Sequence, residues 1–287
     1  SDTMRKTVCL IGRPNTGKST LFNRLINEKK SIIADMPGVT RDRIYGIVNY
    51  KDKSFNLIDT GGIDLEIKDF NESIKIQAEL AIDESDVIVF VVDGREDLTL
   101  NDLKIRDYLL KTDKKVIVAI NKIDDKHHEQ NIYSYYELGL DNMVMISGEH
   151  KRGIDELLDL ITEDFNPYTT EESDSDIKFC IIGRPNVGKS SLVNAILNEE
   201  RCLVSNIAGT TRDSLDTKFN YEKRSYTIID TAGMRKKGKV YETIEKYSLI
   251  RSLKSIERSD ICVVVINAEE GIIEHDKHIV SYAIDAG

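Results

Sequence analysis

No apolar run in the 287 residues approaches the roughly 18 that a membrane-spanning helix needs, so a membrane-embedded chain is not expected. The opening SDTMRKTVCLIG has too short an apolar stretch for a secretory signal, and Ser-Asp-Thr before Met4 reads as an added remnant. Cysteine is scarce: there are four, none in C-x-x-C spacing, which leaves neither a zinc knuckle nor a disulfide framework. Together these absences point to a soluble protein of the cytoplasm. Charge, by contrast, is plentiful. Forty basic and 50 acidic residues give a net charge of -10, beside 40% hydrophobic residues, enough for sizeable cores. The length suggests two domains.

The charge is unevenly spread. Residues 1–165 carry 23 basic and 31 acidic residues (net -8), residues 166–176 carry none and four (net -4), and residues 177–287 carry 17 and 15 (net +2). An acidic whole argues against indiscriminate nucleic-acid binding, and no DNA partner is expected. The slightly basic second half leaves room for a directed RNA contact.

The chain repeats itself. VCLIGRPNTGKSTLFNRLINE (8–28) returns as FCIIGRPNVGKSSLVNAILNE (179–199), at an offset of 171. The same offset carries GVTRD (38–42) onto GTTRD (209–213) and LIDTGG (57–62) onto IIDTAG (228–233). SDVIVFVVDG (85–94) meets SDICVVVINA (259–268) at 174, so the second copy gained three residues in between. A period this long means two whole domains, expected at 4–165 and 177–287. The acidic, polar stretch 166–176 is expected to be a flexible linker.

Each copy alternates strand and helix patterns. KTVCLI (6–11), DVIVFVVD (86–93) and KVIVAIN (115–121) are near-continuous apolar runs, as buried parallel strands require. KSTLFNRLI (18–26) sets Leu21, Leu25 and Ile26 on one helical face, and IYGIVNYKDKSFNLID (44–59) reads as a hairpin turning at Lys51-Asp52. The fold class expected is α/β: two tandem P-loop domains, each a mostly parallel sheet flanked by helices.

GxxxxGKS occurs at Gly12–Ser19 and at Gly183–Ser190, each after an apolar strand and at the start of a helix. Glycines let backbone N–H groups wrap phosphate oxygens, and the helix N-terminus adds partial positive charge. Lys18 and Lys189 would neutralise β/γ-phosphates, and Ser19 and Ser190 would ligate Mg²⁺. Asp59 and Asp230 end strands about 40 residues later, where a carboxylate can hold Mg²⁺ through water, while Gly62 and Gly233 free an amide for the γ-phosphate. Thr40 and Thr211, in the Gly-x-Thr-Arg-Asp loops, can reach the metal only while a γ-phosphate is present. Asn121-Lys122-Ile123-Asp124 follows KVIVAI. The Asp124 carboxylate can accept from guanine N1–H and N2–H₂, which adenine cannot offer, Asn121 can tie loop to base edge, and the Lys122 stem can cover the ring. Ser147 would place a backbone N–H near guanine O6. GTP is therefore expected over ATP.

The doubled GRPNxGKS, the doubled GxTRD and the acidic linker resemble the bacterial EngA/Der GTPases, which carry two tandem G domains and assist assembly of the large ribosomal subunit. The resemblance covers essentially everything past Met4. It implies GTP/GDP, Mg²⁺ and the large subunit or its rRNA as ligands and partner, on a monomer without membrane attachment. The nucleotide contacts implied are Gly12, Asn15, Thr16, Gly17, Lys18, Ser19, Thr20, Asp59, Gly62, Asn121, Lys122, Asp124, Ser147 and Gly148. In the second copy they are Gly183, Asn186, Val187, Gly188, Lys189, Ser190, Ser191, Asp230 and Gly233. Ser19, Thr40, Asp59, Ser190, Thr211 and Asp230 are the implied Mg²⁺ ligands. Ile63 and Met234 stand where Ras-like enzymes have a water-orienting glutamine. The EngA-like relatives are hydrophobic there and depend on a monovalent cation. Asn15 and Asn186 are the matching K⁺ candidates, which join Lys18, Lys189, Thr40 and Thr211 as the expected catalytic set.

Three departures stand out. The guanine loop reads Ser147-Gly148 where the family has Ser-Ala. Adding 174 to Asn121 places a second Asn-Lys-x-Asp near 295, past Gly287, and the family's KH-like third domain leaves no trace. The chain is therefore expected to be a fragment. His275 and His278, Cys9 and Cys180, and the tyrosines of IYSYYELG (132–139) read as packing or surface. The Arg235–Lys239 run reads as a solvated or rRNA-facing loop.

Overall fold

A computed structural model describes residues 5–26, 44–62, 70–124, 132–169, 176–184, 187–204, 216–232 and 244–287. They fall into two compact units that divide between Thr169 and Thr170. The first contains β1 (Lys6–Ile11), α1 (Lys18–Ile26), β2 (Tyr45–Tyr50), β3 (Lys53–Asp59), α2 (Phe70–Glu84), β4 (Val87–Asp93), α3 (Leu100–Leu109), β5 (Lys115–Asn121), α4 (Ile132–Tyr135), β6 (Asn142–Met145) and α5 (Ile154–Thr162). Its sheet has the order β2-β3-β1-β4-β5-β6, parallel except for the β2–β3 hairpin.

The strand patterns explain the layers. Every residue of β4 is buried, as a central strand covered on both faces must be. Val8 and Leu10 join Leu21, Phe22 and Leu25 of α1 and Leu157, Leu158 and Ile161 of α5 in one core. Cys9 and Ile11, equally buried, point the other way by strand alternation, to the face where α2 packs on β1. Each such buried aliphatic side chain contributes about 1.5–3 kcal/mol. At the carboxyl end of β1 the strand order turns in both directions, to β3 and to β4. That switch point opens the crevice in which α/β sheets hold ligands.

The second unit holds β7 (Ile177–Gly183), α6 (Lys189–Leu197), β8 (Cys202–Val204), β9 (Thr217–Tyr221), β10 (Arg224–Ile228), α7 (Ile244–Arg258), β11 (Ile261–Val265) and α8 (Glu274–Asp285). Its sheet runs β11-β7-β10-β9-β8, so β7, β9, β10 and β11 repeat the places of β1, β2, β3 and β4. The edge strand β8, antiparallel to β9, was not expected from the sequence. The β9–β10 turn places Glu222 (φ 48°) and Lys223 (φ 68°) in the left-handed region, as a two-residue primed turn demands.

The expected linker 166–176 is partly fastened at both ends. Tyr168 donates its N–H to Asp52 O at 2.9 Å, and its ring lies 4.3 Å from the Arg5 guanidinium. Asp176 accepts from Thr227 Oγ1 at 3.3 Å. Residues 170–175 lie outside the described residues.

Candidate functional site

In the first unit the loop from Gly12 to Gly17 joins β1 to α1. Asn15 (φ 68°) and Gly17 (φ 90°) are both left-handed, which coils the backbone into a cradle. A methyl group on Gly17 would lie 2.3 Å from Asn121 Nδ2, and one on Gly12 would lie 2.5 Å from Val91 O. The Lys18 ammonium is buried and donates to Gly12 O, so the cation is folded back over its own loop. Thr16 is fully buried and donates through Oγ1 to Arg13 O at 3.0 Å. Ser19 and Thr20, first-turn residues of α1, are exposed.

Asp59 ends β3 beside this cradle. Its N–H donates to Ile44 O at 2.8 Å, and its Oδ1 accepts the Gly61 N–H at 3.0 Å. Burial pushes its carboxyl up, while Lys18 and the Gly61 and Gly62 N–H groups pull it back. Burial likewise lowers Lys18, opposed by Asp59. Lys18 and Asp59 thus form a buried pair in which each charge is desolvated and only partly compensated. A methyl group on Gly61 would meet Lys18 Nζ at 2.3 Å, so the glycine is what lets the lysine pass.

The loops expected to read the base meet the phosphate loop directly. Asn121 donates from Nδ2 to Thr16 O at 2.9 Å and accepts the Gly148 N–H on Oδ1 at 3.1 Å. Ser147 Oγ donates to Asp124 Oδ1 at 2.8 Å and accepts the His150 N–H at 3.1 Å. Lys122, held at φ 66°, donates to Asn15 O at 2.6 Å and to Asp93 Oδ2 at 2.9 Å. Burial raises the Asp93 carboxyl, but the Arg95 N–H, Lys122 and the Arg95 side chain outweigh it and hold Asp93 below its ordinary value. Tyr135 is fully buried and donates to Asp93 O and Glu96 O, fixing the same loop from α4. Its neighbours Tyr133 and Tyr136 are exposed, so these tyrosines divide between core and surface.

In the second unit Gly183 ends β7, Val187 and Gly188 precede α6, and Lys189 donates to Gly183 O at 2.7 Å, repeating the Lys18 contact. Ser190 and Ser191 are exposed on the first turn of α6. Burial alone lowers Lys189. Asp230 lies two residues beyond the end of β10, at φ 56°, and donates its N–H to Asp216 Oδ1 at 2.9 Å. Asp216 also pairs with Arg258 at the end of α7. Thr40, Thr211, Asn186, Gly233, Ile63, Met234 and the run 235–239 lie outside the described residues.

Cys9 and Cys180 are buried, and burial pushes the Cys180 thiol up to about 12, as suits packing rather than nucleophilic chemistry. His275 and His278 fall on α8. Sequence reasoning missed the ties from Arg13 to Glu96 and Asp102 and from Lys122 to Asp93. Their partners lie tens of residues away, and only the copy-to-copy spacing of the carboxylates could have signalled the first.

A family model described as 50S ribosome-binding GTPase matches residues 7–122 and again 178–286, one match for each unit. The chain belongs to this family. It is 54% identical to the GTPase Der of Staphylococcus carnosus (strain TM300) over 284 residues, which is 99% of this chain and 65% of that protein. It is 55% identical to the GTPase Der of Geobacillus sp. (strain WCH70) over 281 residues, 98% of this chain and 64% of that one. The GTPase Der of Listeria welshimeri matches at 52% over 99% of this chain and 65% of its own length. The chain therefore spans just under two thirds of these curated relatives. Its resemblance to the EngA/Der proteins, read from the doubled motifs, holds along nearly its whole length.

Proposed function

We propose that the chain binds guanine nucleotide in both cradles, hydrolyses GTP with Mg²⁺ and K⁺, and serves as a cytoplasmic, monomeric switch in assembly of the large ribosomal subunit. Each unit is taken as one G domain, residues 4–165 and 177–287, with 166–176 between them. The observation that carries the nucleotide reading is Asn121, whose one amide bonds the phosphate loop and the Ser147-Gly148 loop at once. A molecule with phosphates at one end and a base at the other is the ligand such a bridge suits. The ribosomal part rests on the family to which the chain belongs and on its GTPase Der relatives.

In this reading the loop N–H groups and Lys18 hold the β- and γ-phosphates, and Asp124 reads guanine. The Ser147 N–H, expected near guanine O6, is instead donated to Arg152 O at 2.9 Å, so Ser147 acts by orienting Asp124 through its hydroxyl. The developing charge on the β–γ bridge is met by fixed dipoles rather than by rearranging water. The donor set fits Mg²⁺: Ser19 is exposed at the start of α1, and Asp59 stands beside Lys18 at the end of β3. With Thr40 they would hold the ion, as Ser190, Thr211 and Asp230 would in the second unit. Held there, Mg²⁺ would supply positive charge to offset the negative charge developing on the phosphates. Asn15 offers an uncharged side-chain amide oxygen on an exposed residue, and Asn186 is its counterpart for K⁺.

Turnover in K⁺ against Na⁺ at equal ionic strength tests the cation. Faster turnover in K⁺, lost in Asn15→Ala, is expected, and equal rates contradict it. Co-sedimentation with large ribosomal subunits under GTP, GDP and a non-hydrolysable analogue tests the partner: retention should depend on the nucleotide. A second reading, a nucleotide-dependent scaffold with incidental turnover, is favoured by Ile63 and Met234, which cannot orient water. Turnover that large-subunit particles leave unchanged would favour it.

A further inference from the structure

The side chain of the first residue after the opening glycine of each phosphate loop is tied to the turn and helix that follow the neighbouring parallel strand, β4 in the first unit and β11 in the second. Arg13 places Nη2 2.7 Å from Glu96 Oε2 and Nε 3.3 Å from Asp102 Oδ1. Arg184 places Nη1 2.9 Å from Glu270 Oε2 and Nε 3.0 Å from Asp276 Oδ1. The arginines are 171 residues apart and both carboxylate pairs 174 apart, so each copy carries the complete triad. Asp102 and Asp276 also cap their helices, accepting the N–H of Thr99 at 2.9 Å and of Ile273 at 3.0 Å. Their side chains are 2% and 0% exposed, against 56% and 53% for the glutamates at the rim.

A buried ion pair is a weak source of stability, because desolvation offsets most of its attraction. Its geometric effect is stronger: two bonds fix a planar guanidinium, and with it the backbone beside Gly12 and Gly183, whose carbonyls receive the Lys18 and Lys189 ammonium groups. The first unit has a further tie, from Lys122 to both Asn15 O and Asp93. In the second unit Asn267 stands at the place of Asp93, and its Oδ1 accepts the N–H groups of Glu269 and Glu270. The arginine clamp is thus a tie that both units share, beside the bond from Lys18 and Lys189 to the glycine carbonyl. Since the guanidinium is engaged on two carboxylates, it acts through the loop and not as a charge on the nucleotide.

We infer that Arg13 and Arg184 are positioning residues that lock each phosphate loop onto the start of α3 and of α8, so that the loop N–H groups are already aimed before a nucleoside di- or triphosphate binds. This rests on the nucleotide reading above. Pre-aligned donors lower the ordering cost of binding, and the loss should appear as faster release.

The test is stopped-flow release of a fluorescent N-methylanthraniloyl GDP from the chain carrying Lys189→Ala, which leaves the first site to report. Arg13→Gln should speed release about tenfold, the equivalent of one charge-assisted hydrogen bond. Asp102→Asn, which keeps an oxygen for the Thr99 N–H, should act in the same direction, and Glu96→Gln at the exposed rim more mildly. The Arg13→Gln/Asp102→Asn double variant should release no faster than Arg13→Gln alone, because both changes break one tie. KM for GTP should rise while kcat holds. Release at the parental rate in Arg13→Gln, or multiplicative effects in the double variant, overturns the clamp. A parent chain that retains no labelled GDP overturns the nucleotide reading itself, and the clamp with it.

Discussion

The two units carry the same motif at the same spacing, yet the carboxylate after the third strand behaves differently in each. In the first, β3 runs through Asp59, the Asp59 N–H pairs with Ile44 O, and the carboxyl shares its burial with Lys18. In the second, β10 stops at Ile228, and the Asp230 N–H donates to the side chain of Asp216. A neighbour outside the motif differs as well. Asp216 occupies the place of Tyr45, whose hydroxyl donates to Asn56 Oδ1 at 3.0 Å. The carboxylate there pairs with Arg258 and accepts the Asp230 N–H. Identical fingerprints thus sit in different electrostatic settings, and the setting is what a variant can probe.

The largest expected contrast is between the lysines. Lys18→Ala removes the phosphate cation and strands a buried Asp59, so nucleotide binding by the first unit should weaken by ~4 kcal/mol. Lys189→Ala should cost the second unit less, because burial lowers Lys189 and no carboxylate among the described residues offsets it. Equal losses in calorimetric titrations would erase the contrast. Next come the glycines. Gly17→Ala meets Asn121 at 2.3 Å on top of its positive φ, whereas at Gly188 (φ 101°) nothing among the described residues lies within 4 Å. Gly17→Ala should cost ~3 kcal/mol of stability and Gly188→Ala ~1 kcal/mol, measured by chemical denaturation.

A smaller effect separates the carboxylates by pH. The native Asp59 carboxyl holds its proton more tightly than the ordinary value of 3.8, so its contribution to stability is fullest below that value and is lost as pH rises through the raised native one. Asp59→Asn should therefore gain on the parent in nucleotide-free denaturation as pH is raised from the acid side to neutrality. A constant difference would contradict the burial argument. The smallest effect is at Gly148, where an added methyl meets Leu21 backbone atoms at 3.5 Å, ordinary contact. Gly148→Ala, the residue usual in the EngA/Der family, should change stability by less than ~0.5 kcal/mol.

The strands β1, β4 and β5 and the hairpin of the first unit were legible because burial on both faces writes near-continuous apolar runs, as in β4 and β5, and a turn at Lys51-Asp52 interrupts the next pattern. Of the helices, α1 was legible from its apolar face, whereas α2 and α5 were not. The phosphate cradle was legible because its geometry demands glycine and lysine at fixed spacing. The Asn121 bridge was legible in outline, since Asn-Lys-x-Asp follows a strand. What escaped was whatever depends on distant pairing. Nothing local marks Asp93 as the partner of Lys122 or Asp102 as that of Arg13, and a three-residue strand such as β8 is too short to show a period. The tie of the left-handed Asp230 to Asp216 escaped for the same reason, since the two are 14 residues apart.

The most direct test of the account is nucleotide competition at the first site, in the chain carrying Lys189→Ala, with and without Asp124→Asn. GTP should displace labelled GDP far better than ATP. Asp124→Asn should weaken GTP by about 3 kcal/mol, since it trades a charge-assisted double contact for a mismatched donor, and should improve xanthosine triphosphate. ATP competing as well as GTP, or GTP affinity unchanged by Asp124→Asn, would contradict the guanine-reading site.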